Sequence, residues 1–178
     1  AGVFRGDFGK SLQTDEPVLQ KILKRIPISL EIAILAMTLA ILIAIPIGVI
    51  SAIRQDTSLD YFLRVLAILG LSLPSFWVGT ILLVMPSIWF HWVPPLGFTY
   101  LTEDPLKNLQ QIAFPVIVLA FLLSASVMRL SRSSLLEVMR QDYIRTAWAK
   151  GLRERVVVAR HALKNAMIPV ITLWGVQM

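Results

Sequence analysis

From Ile32 to Ile50 the chain reads IAILAMTLAILIAIPIGVI, a run in which Thr38 is the single polar side chain. With its flanks it is long enough to cross about 30 Å of hydrocarbon as a helix. A second run, Val65 to Phe90, carries no charge and holds Leu73-Pro74-Ser75 in its middle, with Trp89, His91 and Trp92 at its far end. Tryptophans at that place suit the headgroup region. A third, Ile112 to Met128, is shorter and continues into a polar helical stretch, and a fourth begins near Ala166. Three such runs leave too little polar chain to cover them in water, and 56% hydrophobic against 16% charged residues is too apolar for a soluble domain. Backbone groups in lipid must pair internally, and the alternation that strands would need is absent, so the predicted class is an all-α, polytopic transmembrane helix bundle. Pro46, Pro74, Pro86 and Pro115 are expected to kink or loosen these helices. Pro74 and Ser75 are the candidates for shaping a path through them.

The formal charge of +6 is local. Arg129 to Lys164 holds nine Lys or Arg against Glu137, Asp142 and Glu154, while the rest of the chain carries eight basic and eight acidic residues. One basic segment, and not a basic surface, sets the charge, which argues against nucleic acid as a partner. Lys and Arg collect in cytoplasmic loops, so 129–164 is placed in the cytoplasm together with the first loop, Arg54 to Arg64. The loop His91 to Gln111 and the amino-terminal segment 1–27 then lie outside. Lys21, Lys24 and Arg25 oppose that assignment, but they fall in PVLQKILKRI, an amphipathic stretch able to rest on the outer surface. The domain division is an external segment, 1–27, and a transmembrane domain, 28–178.

Within the basic segment, Leu136, Met139, Tyr143 and Ala147 recur at spacings of three and four, and Arg132, Arg140 and Arg145 lie off that stripe. A helix is predicted from Ser131 to Lys150, supported by Glu137 with Arg140 and Asp142 with Arg145 at i,i+3. Gly151 ends it. Leu152 to Val158 has room for a short helix, and His161 to Asn165 leads back towards the fourth span. The spacing leaves two readings open: a charged loop that only fixes topology, or a docking element held by longer helices.

DYIRTAWAKGL followed by HALKNAMIP resembles the cytoplasmic EAA loop of ABC-importer permeases, in the dipeptide, oligopeptide and nickel branch. GDFGKS, RIPISLEIA, GLSLPSFWVG and RLSRSSLLEVMRQDYIRTA extend the resemblance in order through nearly the whole chain. Ala147 and Gly151 stand at the second alanine and the glycine of the general loop, with Leu152 to Val158 at the coupling helix. Arg145 and Thr146 stand where the general pattern has Glu and Ala, Lys164 where it has Pro, and Arg153 where relatives often place a capping serine. The resemblance implies a bacterial or archaeal inner-membrane permease subunit of an ATP-driven importer of peptides, nickel or related solutes. It implies as partners a second permease, two cytoplasmic ATPase subunits and an external solute-binding protein, in a lipid bilayer. Ala147, Lys150, Gly151, Leu152, Arg153, Glu154, Arg155 and His161 become the expected ATPase-docking residues. Against that pattern the chain reads as cut at both ends, without the first and last helices.

Enzyme chemistry of its own is not expected. Gly9-Lys10-Ser11 is only the tail of a phosphate-cradling loop, because Phe4 occupies the first glycine position. ATP and magnesium are expected on the ATPases, with no cofactor on this chain. His91 and His161 lie on opposite membrane faces and make no metal pair. Gly70-Leu71-Ser72 is followed by Leu73 where a membrane serine protease motif has glycine. Glu31 and Arg129 sit at span ends, where they reach water by snorkelling. The competing reading is a secondary transporter or channel without an ATPase, which internal inverted repeats or mid-membrane charges would mark; neither is found.

Overall fold

The computed structural model describes residues 8–11 and 14–177. Phe4 and the opening residues of the GDFGKS motif lie outside them. The regular secondary structure among the described residues is helical apart from an isolated bridge between Lys10 and Pro17. In chain order the helices are α1 (Val18–Ile53), α2 (Ser58–Ser72), α3 (Ser75–Phe90), α4 (Pro105–Met139), α5 (Asp142–Ala149), α6 (Glu154–Val156) and α7 (Leu163–Gln177). A π-helical segment, Val157–Ala162, joins α6 to α7 without a break. Three helices are long and apolar enough to cross a membrane: α1, α4 and the continuous Glu154–Val176.

The fold is built on α1 against α4, the most extensive helix pair. Ala36, Ala40, Ala44, Gly48 and Ala52 recur every four residues on α1, and all are buried. Ala36 and Ala40 meet Ile112, Val116 and Ala120 of α4. Ala44 lies with Val127 and Met128, and Ala52 with Leu135. In hydrocarbon, apolar burial gives no drive for helices to associate, so close packing of small residues carries the contact. The approach is tightest at Gly48, where a Cβ would stand 2.8 Å from the Met128 carbonyl oxygen and 2.8 Å from Ser131 Cβ.

That register makes α1 and α4 parallel, so the chain between Ile53 and Pro105 returns from one end of the pair to the other. The segment α2–α3 makes the return and climbs α4 step by step. Asp60 touches Arg132, Gly70 faces Ala125 and Phe121, Gly79 faces Val118, and the Trp92 ring lies 5.6 Å from that of Phe114. The run read as the second span is thus two helices, and Pro74 does more than kink it: α2 and α3 meet at 98°. Leu73 is driven to extended backbone (φ −78°, ψ 129°), the conformation favoured before proline. Pro46, Pro86 and Pro115 are instead carried inside continuous helices.

Two further boundaries differ from those read in the sequence. The stretch PVLQKILKRI is no separate surface helix, since α1 starts at Val18 and runs through it, with Pro27 inside. The helix predicted from Ser131 to Lys150 is interrupted at Arg140 and Gln141, the latter with φ −72° and ψ 150°.

Candidate functional site

Beyond the Gly48 crossing, α4, α5 and the start of α7 enclose a small core. Leu135, Ile144, Val157, Ala162 and Ala166 are fully buried, with Ala52, Ala147 and Val158 beside them. The break at Gln141 shifts the buried stripe: Leu135 and Ile144 fill the core, Leu136 and Met139 only flank it, and Tyr143 is exposed. The Tyr143 hydroxyl accepts a hydrogen bond from Asn165 Nδ2 at 2.8 Å, fixing α5 to α7.

On this core stands a tight turn. Gly151 N donates to Trp148 O at 2.9 Å and Leu152 N to Ala147 O at 3.4 Å, the paired bonds of a Schellman motif. The motif needs a left-handed residue after the helix, and Gly151 supplies it with φ +73°. Leu152 folds back onto the core that holds Ala147, and Glu154 begins the next helix without a side-chain cap from Arg153. Lys150, Gly151, Arg153, Glu154 and Arg155 thus form one exposed knob.

Three of the residues expected at a docking surface take other places. Ala147 is only 6% exposed and points inward, so it seats α5 and offers a partner nothing. Leu152 is half-buried as the anchor of the turn, and His161 lies half-buried in the π-helical segment. The short helix read at Leu152 to Val158 begins at Glu154 and does not end at Val158, because the π-helical segment carries it into α7. Pro74 and Ser75 are far from this knob. Both are exposed, and Ser75 lines a cavity of about 460 Å³ between α3 and α4, with Phe76, Gln111 and Phe114 on its walls.

Periodicity alone leaves one cluster unread. Asp60, counted in the sequence as a loop charge, is fully buried. Arg132 Nε and Nη2 donate to its two carboxylate oxygens at 2.9 and 2.8 Å, and Ser51 Oγ also donates to it. Asp56 N donates to Oδ2 at 3.1 Å, and Arg64 Nε lies 3.7 Å from the same oxygen. Asp56 adopts φ +60°, a left-handed value that aspartate tolerates better than most residues. The α1–α2 turn is thereby tied to α4 one turn past Met128. Ser51, Asp60 and Arg132 are too far apart in sequence for any spacing rule, although charges flanking two apolar runs on the same side are a usable signal.

Glu31 is half-buried, and its Oε1 is buried and accepts no hydrogen bond among the described residues. Among the described residues no three His, Cys, Asp or Glu side chains are grouped as a metal site would need.

Residues 44–178 match the family described as the binding-protein-dependent transport system inner membrane component. The chain belongs to that family. It is similar to a putative peptide transport system permease protein of Brucella suis, 37% identical over 173 residues, which covers 97% of this chain and 55% of that protein. It is also similar to the oligopeptide transport system permease protein AppB of Bacillus subtilis, 38% identical over 174 residues, covering 96% of this chain and 55% of AppB. The dipeptide transport system permease protein DppB of Alkalihalophilus pseudofirmus is 34% identical over 193 residues, covering 97% and 58%. This family member thus spans about half the length of the curated relatives it matches. It is an all-α, multi-pass membrane protein with the loop resemblance lying inside the matched region.

Proposed function

We propose that the chain is part of the permease subunit of an ATP-driven importer, and that the loop 145–164 is where cytoplasmic ATPases grip it. The observation that carries the reading is the exposed knob from Lys150 to Arg155, held on a buried core and joined through an unbroken helix to a membrane span. A force applied to such a knob moves α7 as a lever, because the Schellman turn and the Ile144 core transmit it with little slack. Two ATPase subunits, each with its ATP and magnesium, are the sources of that force; this chain holds neither and catalyses nothing itself. Nucleotide-driven closure of the ATPase pair supplies different free energies to two arrangements of the spans, which is what a ligand-driven switch requires.

A second permease completes the path, and an external binding protein delivers the solute. Peptides are the favoured solute, because the relatives named above are peptide, oligopeptide and dipeptide permeases. The loop then lies on the cytoplasmic side of the inner membrane, as its nine basic residues favour. The test is a cysteine introduced by Glu154→Cys in the full-length protein in membranes, with cysteines placed around the ATPase clefts. Crosslinking that changes on adding ATP is the expected result. A Glu154→Cys variant that never crosslinks to an ATPase overturns the docking assignment.

A further inference from the structure

A cavity of about 660 Å³ opens between α2 and α4 beside the Asp60 cluster. Arg64, Arg129 and Arg132 are among the residues lining it, together with Ile68, Leu130 and Leu173. Three arginines therefore line one cavity. Asp60 is in ion-pair contact with Arg64 and Arg132, and Asp56 also acts on Arg132, so two carboxylates against three arginines leave a surplus of positive charge at the site. Arg64 also stacks on the Tyr61 ring, 4.4 Å from its centre, which holds it in place without neutralising it. Arg129 is exposed and has no ion-pair partner among the described residues.

The cavity's level is set by the sequence. Arg129 is the first charge after the uncharged run Ile112 to Met128, so its guanidinium belongs where hydrocarbon gives way to headgroups. Above it on α2, Val65, Ile68 and Leu69 are each half or more exposed, at 54%, 56% and 50%. A cationic pocket at the membrane boundary, continuous with an exposed apolar face, matches a ligand with an anionic head and a hydrocarbon tail. Basic pockets between transmembrane helices on the cytoplasmic side bind anionic headgroups for this reason.

We propose that this cavity seats the phosphate of an anionic phospholipid of the inner leaflet, with its acyl chain along Ile68. Arg129 contributes the unpaired charge, and Arg64 contributes the charge that Asp60 does not fully meet. Arg132 is committed to Asp60 and shapes the pocket. The site is independent of the ATPase knob, which lies beyond the α5 core, so failure here and failure of the docking reading show in different experiments.

The experiment uses the full-length protein with its partner subunits in nanodiscs of phosphatidylcholine with added phosphatidylglycerol. Lipid retained on release into the gas phase is measured by native mass spectrometry. Wild-type protein is expected to retain phosphatidylglycerol over phosphatidylcholine, Arg129→Gln to lose about fivefold of that preference, and Arg129→Lys to keep most of it. Lys107→Gln, at the other end of α4, is expected to match wild type. Unchanged preference in a correctly assembled Arg129→Gln protein overturns the proposal. So does displacement of the lipid by millimolar inorganic phosphate, which would make the site one for a free anion. Efficient crosslinking of an Ile68→Cys variant to another permease helix also overturns it, because protein would then fill the groove.

Discussion

Arg132 meets Asp60 edge to edge, two nitrogens on two oxygens, across 72 residues of chain and at the point where α1, α2 and α4 converge. With Asp60 fully buried, removing either partner strands a charge. Breaking such a pair costs about 3–5 kcal/mol, whereas an apolar replacement of both partners can be far less harmful. Arg132→Ala and Asp60→Ala are each expected to lower the thermal unfolding midpoint of the full-length protein in detergent sharply. Arg132→Lys should recover only part, since an ammonium cannot form the paired bonds. A double variant, Asp60→Ala with Arg132→Leu, that is as unstable as the worse single one would contradict the stranded-charge account.

Gly48 makes the second prediction. A methyl group there meets backbone, the Met128 carbonyl, which cannot swing aside as a side chain can. Gly48→Ala is expected to push α1 from α4 and cost about 1–3 kcal/mol, the usual range for overpacking. Gly79 is the control, because its nearest neighbour would be Val118 Cγ2 at 3.9 Å, an ordinary contact. Gly79→Ala should leave the unfolding midpoint close to that of the native sequence.

How much of this was open to reading depends on the kind of signal. The spans declare themselves because nineteen residues in a row with a single polar side chain have few other uses, and Gly151 because few residues but glycine accept its backbone. The stripe Ala36, Ala40, Ala44, Gly48, Ala52 is equally explicit at spacing four, but it is visible only when small size, and not hydrophobicity, is the property followed. The break at Arg140 and Gln141 has neither glycine nor proline to announce it, and it moves the buried face from Tyr143 to Ile144. Ala147 keeps its place in the loop pattern yet turns inward, a direction that a motif does not record. The Asp60–Arg132 pair is tertiary, and helical periodicity treats both residues as solvated.

Gly151 separates folding from docking. A Cβ there meets no atom within 4 Å, so Gly151→Ala is opposed by backbone conformation alone, at about 1–2 kcal/mol. Asn tolerates the left-handed region better, and Gly151→Asn should be milder. Because the knob hangs on this turn, ATPase co-purification is expected to fall in Gly151→Ala by more than its modest change in unfolding midpoint. Equal retention of the ATPases in both variants would detach the turn from docking.

The parallel register of α1 and α4 carries a prediction about topology that does not depend on charge. If both run the same way, α2–α3 must cross the bilayer despite its 98° bend, and the loop before α4 lies opposite the knob. Leu96 is almost fully exposed in that loop, and Arg155 is exposed on the knob. In a cysteine-free background of the full-length protein, Leu96→Cys is expected to react with a membrane-impermeant maleimide in cells whose outer barrier has been opened. Arg155→Cys should react only after the inner membrane is permeabilised. Gln55→Cys, exposed in the α1–α2 turn, should behave as Arg155→Cys does, and labelling of Gln55→Cys and Leu96→Cys from the same side would make α2–α3 a re-entrant loop. That outcome would also require α1 and α4 to be antiparallel, against the contacts of Ala36 with Ile112 and Ala52 with Leu135 that set their register.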